Sequence, residues 1–335
     1  MQVGPPVPRQ GPAGWDNEGM KHVLIAGAGL IGSSIAWRLT QAGARVTLCD
    51  AGTFGGECSA AGAGMLSPGG EFDKPSVWID LAVEGMRMYP AFVDELARES
   101  GVPIDFQICG CHHLVDSEIA QRRAEFQASK GIRVETTERG LYYPGDAFVD
   151  PADMLRALRC VSRADLREHS GLDQIEAGDY DAVVIAAGAW SNQIRVKYRG
   201  APVALPEVKP IKGHLIGFQL PPGALGPMLR RGHTYALQRS NGFTVAGSTE
   251  EDAGFDRNVN QDICDEIHRH VAELFPAVKD AVPCRRWIGF RPFAPTGPHI
   301  RRIENTNVWL AYGHFRNGIL LAPLTSQRIA AGIIA

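Results

Sequence analysis

One string near the start of the chain does most to limit what it can become. Gly27-Ala28-Gly29-Leu30-Ile31-Gly32 follows a short apolar run, HVLIAGA over 22–28, and opens a stretch with apolar residues at helical spacing: Leu30, Ile31, Ile35, Ala36 and Leu39. Gly43 closes that helix from the C′ position. A second strand, ARVTLC over 44–49, ends at Asp50. The unit is β-α-β, a crossover that is almost always right-handed. GxGxxG alone is a weak signal. Here a strand precedes it, a helix follows, and an acid stands 18 residues beyond Gly32, which is the context that gives it meaning. Each position has a physical task. Gly27 permits the tight turn, and Gly29 lets backbone approach a pyrophosphate. The N–H groups at the helix start, over Leu30 and Ile31, together with the helix dipole, favour an anion. Gly32 lets helix and strand pack closely, and Asp50 can accept from ribose hydroxyls. A phosphorylated ribose would be repelled by Asp50, which argues against NADP. These residues leave NAD and FAD both open.

Composition narrows the setting. At ~150 residues per domain, 335 residues suggest about two domains. An apolar fraction of 44% with 21% charged residues excludes chain-wide disorder. A formal net charge of −3 gives no electrostatic footprint for nucleic acid. No stretch reaches the ~18 apolar residues of a membrane span. The seven cysteines contain no CxxC pair, and Cys109-x-Cys111 lacks zinc-finger spacing, so reduced thiols in a cytoplasmic protein are expected. Residues 1–19 have no apolar h-region and read as a disordered leader. There is no GxSxG, HExxH or Walker A string. His112-His113 falls on a strand pattern, where neighbours point to opposite faces and make a poor metal site.

Further along, residues 51–70 form a Gly/Ala/Ser-rich loop, and 78–100 an amphipathic helix that Pro90 should interrupt. Asp150-Pro151 marks a helix start. DAVVIAA over 181–187 is another buried strand, 203–250 reads as antiparallel strands with turns, 262–275 as a helix, 307–312 as a last strand and 318–334 as a last helix. Apolar strands at 22, 44, 181 and 307, with alternating material between them, predict an α/β domain assembled from separated segments and a mostly antiparallel domain inserted in pieces.

Three further strings bear a family resemblance. Gly55–Leu66 stands as GGECSAAGAGML, 186–191 as AAGAWS, and 313–323 as GHFRNGILLAP. With the GxGxxG they resemble the FAD-dependent D-amino acid oxidase superfamily, and within it the glycine oxidase branch of thiazole synthesis. The likeness runs from about residue 21 to 335, and the last string is the most specific. It implies a Rossmann-like FAD-binding domain over 20–75, 145–195 and 300–335, and an α+β substrate domain over 76–144 and 196–299. It implies that Ala63, Gly64 and Met65 wrap the flavin end of FAD, that Gly188 turns against the cofactor, and that Gly313, Phe315, Arg316, Asn317, Gly318 and Ile319 form a turn before a helix whose N–H groups face the flavin. One departure is the stretch between Arg156 and Tyr180. The family has a longer segment with a β-meander there, so the FAD domain is expected to be trimmed at that edge.

The resemblance also implies a substrate side. An amino-acid oxidase must hold a carboxylate while Cα–H faces flavin N5, and a planar guanidinium suits this. The matching arginine is Arg291, in WIGFRP, assisted by Tyr235 in HTYALQR. Arg316 borders the pocket, and His233 is a further candidate. Some relatives attach FAD through a cysteine near the position of Ile288 and Gly289. None stands there and Cys284 is displaced, so FAD is expected to be non-covalent. The implied reaction is hydride transfer from an amine Cα to flavin N5, giving an imine, then oxo acid and ammonia, with O2 reduced to H2O2. The substrate is glycine, sarcosine or a small D-amino acid. Two alternatives stay open: a secondary-amine dehydrogenase that passes electrons to a carrier, and a flavin-free binding relative. A homo-oligomer is open by analogy only.

Overall fold

The computed structural model describes residues 19–69 and 75–335. The expected leader lies outside the described residues, Gly19 excepted. Among the described residues no helix is long and apolar enough to cross a membrane.

A six-stranded sheet carries the β-α-β unit. Its order is His299–Arg302, Val308–Tyr312, Ala182–Ile185, His22–Ala26, Arg45–Cys49, Asp165–Arg167, all parallel except the first pair. Central strands here are apolar on both sides because both faces are covered. On one face the helices Leu30–Gln41 and Ala322–Ile334 pack Ile35, Leu39, Ile329 and Ile333 against Val23, Ile25, Leu48 and Val184. On the other, Leu24, Val183, Ile185 and Leu310 meet Ile175 and Val196 of a three-stranded sheet. That small sheet comprises Gln174–Glu176, Arg195–Tyr198 and Ala201–Val203. The short stretch between Arg156 and Tyr180 still supplies the edge strand Asp165–Arg167 and the first strand of the cover.

The second sheet has eight strands, in the order Arg285–Phe293, Lys209–Gln219, Phe243–Gly247, Thr234–Gln238, Met228–Arg231, Cys111–His113, Gly140–Tyr143, Glu135–Thr137. It is antiparallel except where Met228–Arg231 meets Cys111–His113. Its outer face (Ile216, Phe218, Ala246) packs on Ile267 and Val271 of the helix Gln261–Leu274. The Asn260 side chain caps that helix, accepting from Asp262 N at 2.9 Å. The inner face turns Leu215, Leu237 and Val245 toward Met65 and so toward the first sheet.

Two elements depart from the sequence pattern. Pro90 lies inside one helix, Val77–Ser100, and does not end it. Tyr89, Phe92, Val93 and Leu96 of that helix are buried against Met154, Leu155 and Leu158, which outweighs the lost backbone bond. The helix packs on Pro151–Val161, over the first sheet's helices, although the boundary at 76 places it with the second domain. The last helix begins at Ala322 rather than Gly318. Phe315–Asn317 forms a 3-10 turn, and Pro323 sits in the first helical turn, where its missing N–H costs nothing.

Candidate active site

A cavity of about 540 Å3 lies between the two sheets. It runs from the glycine turn after His22–Ala26, past the 50–65 loop, to the inner face of the eight-stranded sheet. Gly27, at φ +110°, has no room for a side chain: a Cβ would lie 2.4 Å from Ala186 O. A Cβ on Gly32 would lie 1.9 Å from Gly27 O. Gly32 therefore does not line the cavity and serves helix–turn packing. At Gly29 a Cβ would meet only Ser59 Oγ, at 3.1 Å, so the space beyond its backbone is open. The helix starts there without an acid in its first turn and without a side-chain cap from Gly29, while Ser59 Oγ takes the Leu30 N–H at 2.9 Å. Leu30 and Ile31 line the cavity. The helix dipole thus meets this open space unneutralised.

Asp50 lines the same end and does more than the sequence suggested. Its Oδ2 accepts from Ala28 N at 2.7 Å and its Oδ1 from Gly52 N at 2.8 Å, so it ties the glycine turn to the following loop. Each oxygen keeps a further lone pair for a hydroxyl.

The middle of the cavity is formed by Ala63, Gly64, Met65 and Gly188, with Phe315–Ile319 opposite. Gly64 sits so close to Val149 O that a Cβ would fall at 1.9 Å, which holds the loop on the strand Ala147–Val149. Gly313 does not line the cavity. At φ +81°, packed on Ala294, it sets the turn instead. Phe315 is left-handed at φ 50° and packs edge-on against Phe293, with ring centroids 5.3 Å apart. Arg316, half-buried, donates to Glu250 Oε1 at 2.7 Å.

At the far end stand Arg291 and Tyr235, both half-buried. Arg291 donates from Nη1 to Thr249 O at 2.9 Å and from Nη2 to Ser248 Oγ at 2.8 Å. Its guanidinium lies against Gly213 on the neighbouring strand, where a Cβ would be 2.2 Å from Nη1. Burial pushes the Tyr235 phenol up, although the charge of Arg291 and a hydrogen bond with Ser248 act the other way. His233 is exposed at the rim, with Nδ1 3.8 Å from Glu250 Oε1.

Several lining residues were missed. Arg230 is buried on the strand Met228–Arg231, directly opposite Tyr235 in the ladder. Alternation in Met228-Leu229-Arg230-Arg231, with the first and third buried, was the available signal. Ser248 and Gly213 act on Arg291 through sheet register, which spacing does not show. Cys58 also lines the cavity, and burial pushes its thiol up to about 11. Cys284 is exposed, and its thiol lies 3.3 Å from Gly217 O. Among the described residues no cluster of three or more metal-ligating side chains occurs.

The open glycine turn, the unneutralised helix start and the long cavity fit an FAD molecule. Comparisons with known proteins agree. The family model for FAD dependent oxidoreductases, DAO, matches residues 22–331. The chain is 30% identical to glycine oxidase of Pseudomonas aeruginosa, over 92% of this chain and 94% of that protein. It is 29% identical to the bifunctional protein ThiO/ThiG of a Synechocystis species, over 92% of this chain and 51% of that protein. The crystal structure of glycine oxidase from Geobacillus kaustophilus superposes with a TM-score of 0.83 at 27% identity, covering 94% of this chain and 95% of that one. The chain belongs to the DAO family: it is an FAD-dependent oxidoreductase that acts on the carbon–nitrogen bond of an amine.

Proposed function

We propose that the substrate is glycine or another small amino acid, sarcosine included, that O2 is the electron acceptor, and that FAD is held without a covalent bond. Arg291 carries the reading. Two of its five N–H groups are fixed on the protein, and the rest are left at the cavity wall for a carboxylate. Tyr235, beside it, can donate its phenolic proton to the same carboxylate. FAD, when bound, supplies the two-electron acceptor. The protein's work is to fix the substrate by its carboxylate and to exclude water from the Cα.

The N–H groups of Gly29 and Ile31, on either side of the Leu30 N–H that Ser59 takes, would hold the pyrophosphate, Asp50 the ribose, and the 63–65 and 315–319 segments the flavin end. Cys58 is the thiol placed to matter for a covalent link. Kept protonated by burial, it is a poor nucleophile, which supports non-covalent binding. The cavity's fit to FAD removes the ground for a flavin-free relative. The half-length match to ThiO/ThiG supports a place in thiamine thiazole synthesis, with the imine or its hydrolysis product as what the next step uses. Seven free cysteines support a cytoplasmic setting.

The test is an anaerobic visible spectrum of the purified protein before and after glycine. Flavin bands that bleach with glycine, and peroxide on readmitting air, are expected. Bands that persist with glycine but bleach with sarcosine would move the substrate to secondary amines. Bleaching without peroxide on reoxidation would replace O2 by a carrier.

A further inference from the structure

The two acceptors that orient Arg291 lie where the sheet is irregular. Leu215 pairs with Gly247, and the ladder resumes only at Lys212 with Glu251, through two N–H···O bonds of 2.9 Å. Three residues on one strand, 248–250, thus stand against two on its neighbour, 213 and 214, which is a bulge, a device that re-aims side chains beside active sites. The bulge turns Ser248 Oγ and Thr249 O toward the guanidinium. On the other side Ser248 N donates to His233 O at 3.0 Å, but between Gly247 and Glu251 no ladder bond joins this stretch to Lys209–Gln219, and side chains take that place.

A buried pair does this. His214, fully buried, donates its backbone N–H to Thr249 Oγ1 at 2.9 Å. Its ring Nε2 accepts from Asn260 N at 2.9 Å, so that nitrogen carries no proton. The ring proton therefore sits on Nδ1, which is 2.7 Å from Glu251 Oε1 and donates to it. The Thr249 hydroxyl donates to the same oxygen. Burial alone would raise the Glu251 carboxyl, but the bonds from Thr249 and His214 outweigh it and hold it below its usual value. Lys212, also buried, binds Asp256 Oδ2 and Asn258 O at 2.6 Å each, which fixes the segment leading to Asn260. Of the residues in this chain of bonds, only Arg291 and Ser248 line the cavity.

We infer that the His214–Glu251 pair, acting through Thr249, is a positioning device that fixes the Arg291 guanidinium and thereby sets substrate affinity. The inference rests on Arg291 as the carboxylate ligand. A guanidinium displaced by a fraction of an ångström still binds a carboxylate but loses the bidentate geometry, so affinity falls more than turnover.

The test uses the FAD-loaded enzyme and the variants Thr249→Val, Glu251→Ala, Glu251→Gln and Arg291→Ala. Two readouts are needed: KM and kcat for glycine, and the Kd of glycolate, a carboxylate of similar size without an amine, read from its perturbation of the flavin spectrum. Thr249→Val and Glu251→Ala should each raise KM and the glycolate Kd by ~10-fold, with kcat within ~3-fold and flavin content unchanged. Glu251→Gln keeps an oxygen for both donors and should return Kd to within ~3-fold of the parent. Thr249→Val is nearly isosteric and decides the matter should Glu251→Ala fail to fold. Wild-type Kd and KM in Thr249→Val, with Arg291→Ala impaired, would overturn the positioning role and leave the carboxylate assignment standing. Wild-type Kd in Arg291→Ala would overturn that assignment, and this inference with it.

Discussion

The two sheets that enclose the cavity recognise by different means. The parallel sheet offers backbone: a glycine turn, a helix start and a carboxylate that ties the turn to the loop after the second strand. The antiparallel sheet offers side chains, Arg291, Tyr235 and Ser248, aimed by register and by a bulge. Backbone recognition suits a large, invariant group such as a dinucleotide, since it asks only that side chains be absent. Side-chain recognition suits a small ligand, whose identity must be read from a few atoms. Substitutions on the first side should therefore act on the cofactor, and those on the second on the substrate.

Four substitutions would break or sharpen that division. The largest effect is expected for Gly29→Val, whose side chain would enter the space open to the pyrophosphate while meeting only Ser59. The protein should fold, by circular dichroism, and purify colourless; a fully yellow preparation would refute the backbone assignment. Next is Arg291→Ala, expected to lower kcat/KM for glycine by roughly 30- to 1,000-fold (about 2–4 kcal/mol) with the flavin spectrum intact. Flavin loss in that variant would show that the two sides are not separable.

His314 sharpens the comparison at the junction. Buried, with Nε2 3.0 Å from Thr325 Oγ1, its imidazole is held down at about 3 by burial first and by the charge of His299 second, against 6.5 for the free group. The unfolded chain takes up a proton that the folded state excludes. This exclusion leaves stability untouched above about pH 6.5 and lowers it as pH falls toward 3, by at most ~1.4 kcal/mol per pH unit. Thermal unfolding of His314→Gln should accordingly depend less on pH than that of the parent between pH 6.5 and 4; parallel curves would show that His314 does not set the acid limit. The smallest effect is expected for Trp287→Phe, which deletes the indole bond to Ala61 O, 2.9 Å long, joining the second sheet to the flavin loop. A loss of ~1 kcal/mol, or about 1–2 °C in Tm, is expected, with KM for glycine unchanged.

The cofactor side was the more legible in the sequence, because its signals are local. GxGxxG, Gly43 and Asp150-Pro151 each act within a few residues, and Asp150 does cap its helix, accepting from Ala152 N at 2.8 Å. The substrate side was legible only where the family resemblance supplied it. Strands of three or four residues, such as Cys111–His113 and Met228–Arg231, are too short to establish a period, and Arg230 was lost with them. Ser248, Gly213 and Cys58 matter through contacts across the sheet or between sheets, which no spacing encodes. The bulge at 248–250 is likewise a property of two strands together. Pro90 misled for the converse reason: local propensity was overruled by the burial of Tyr89 and Phe92.

The six-stranded sheet seats Val308–Tyr312 beside Ala182–Ile185, near its centre, with the 313–319 turn leading directly off it. The cradle is thus split between two stretches far apart in the sequence, 27–32 and 313–319. A nascent chain carries the glycine turn of 27–32 well before the opposite wall at 313–319 has been made. Long-range parallel pairing is slow to form, so the early unit waits with apolar strand faces uncovered. Because the cofactor binds only the closed form, its capture stabilises finished molecules by mass action and leaves fragments to proteolysis. The colour of the protein is in that sense a certificate that translation has passed the 313–319 turn.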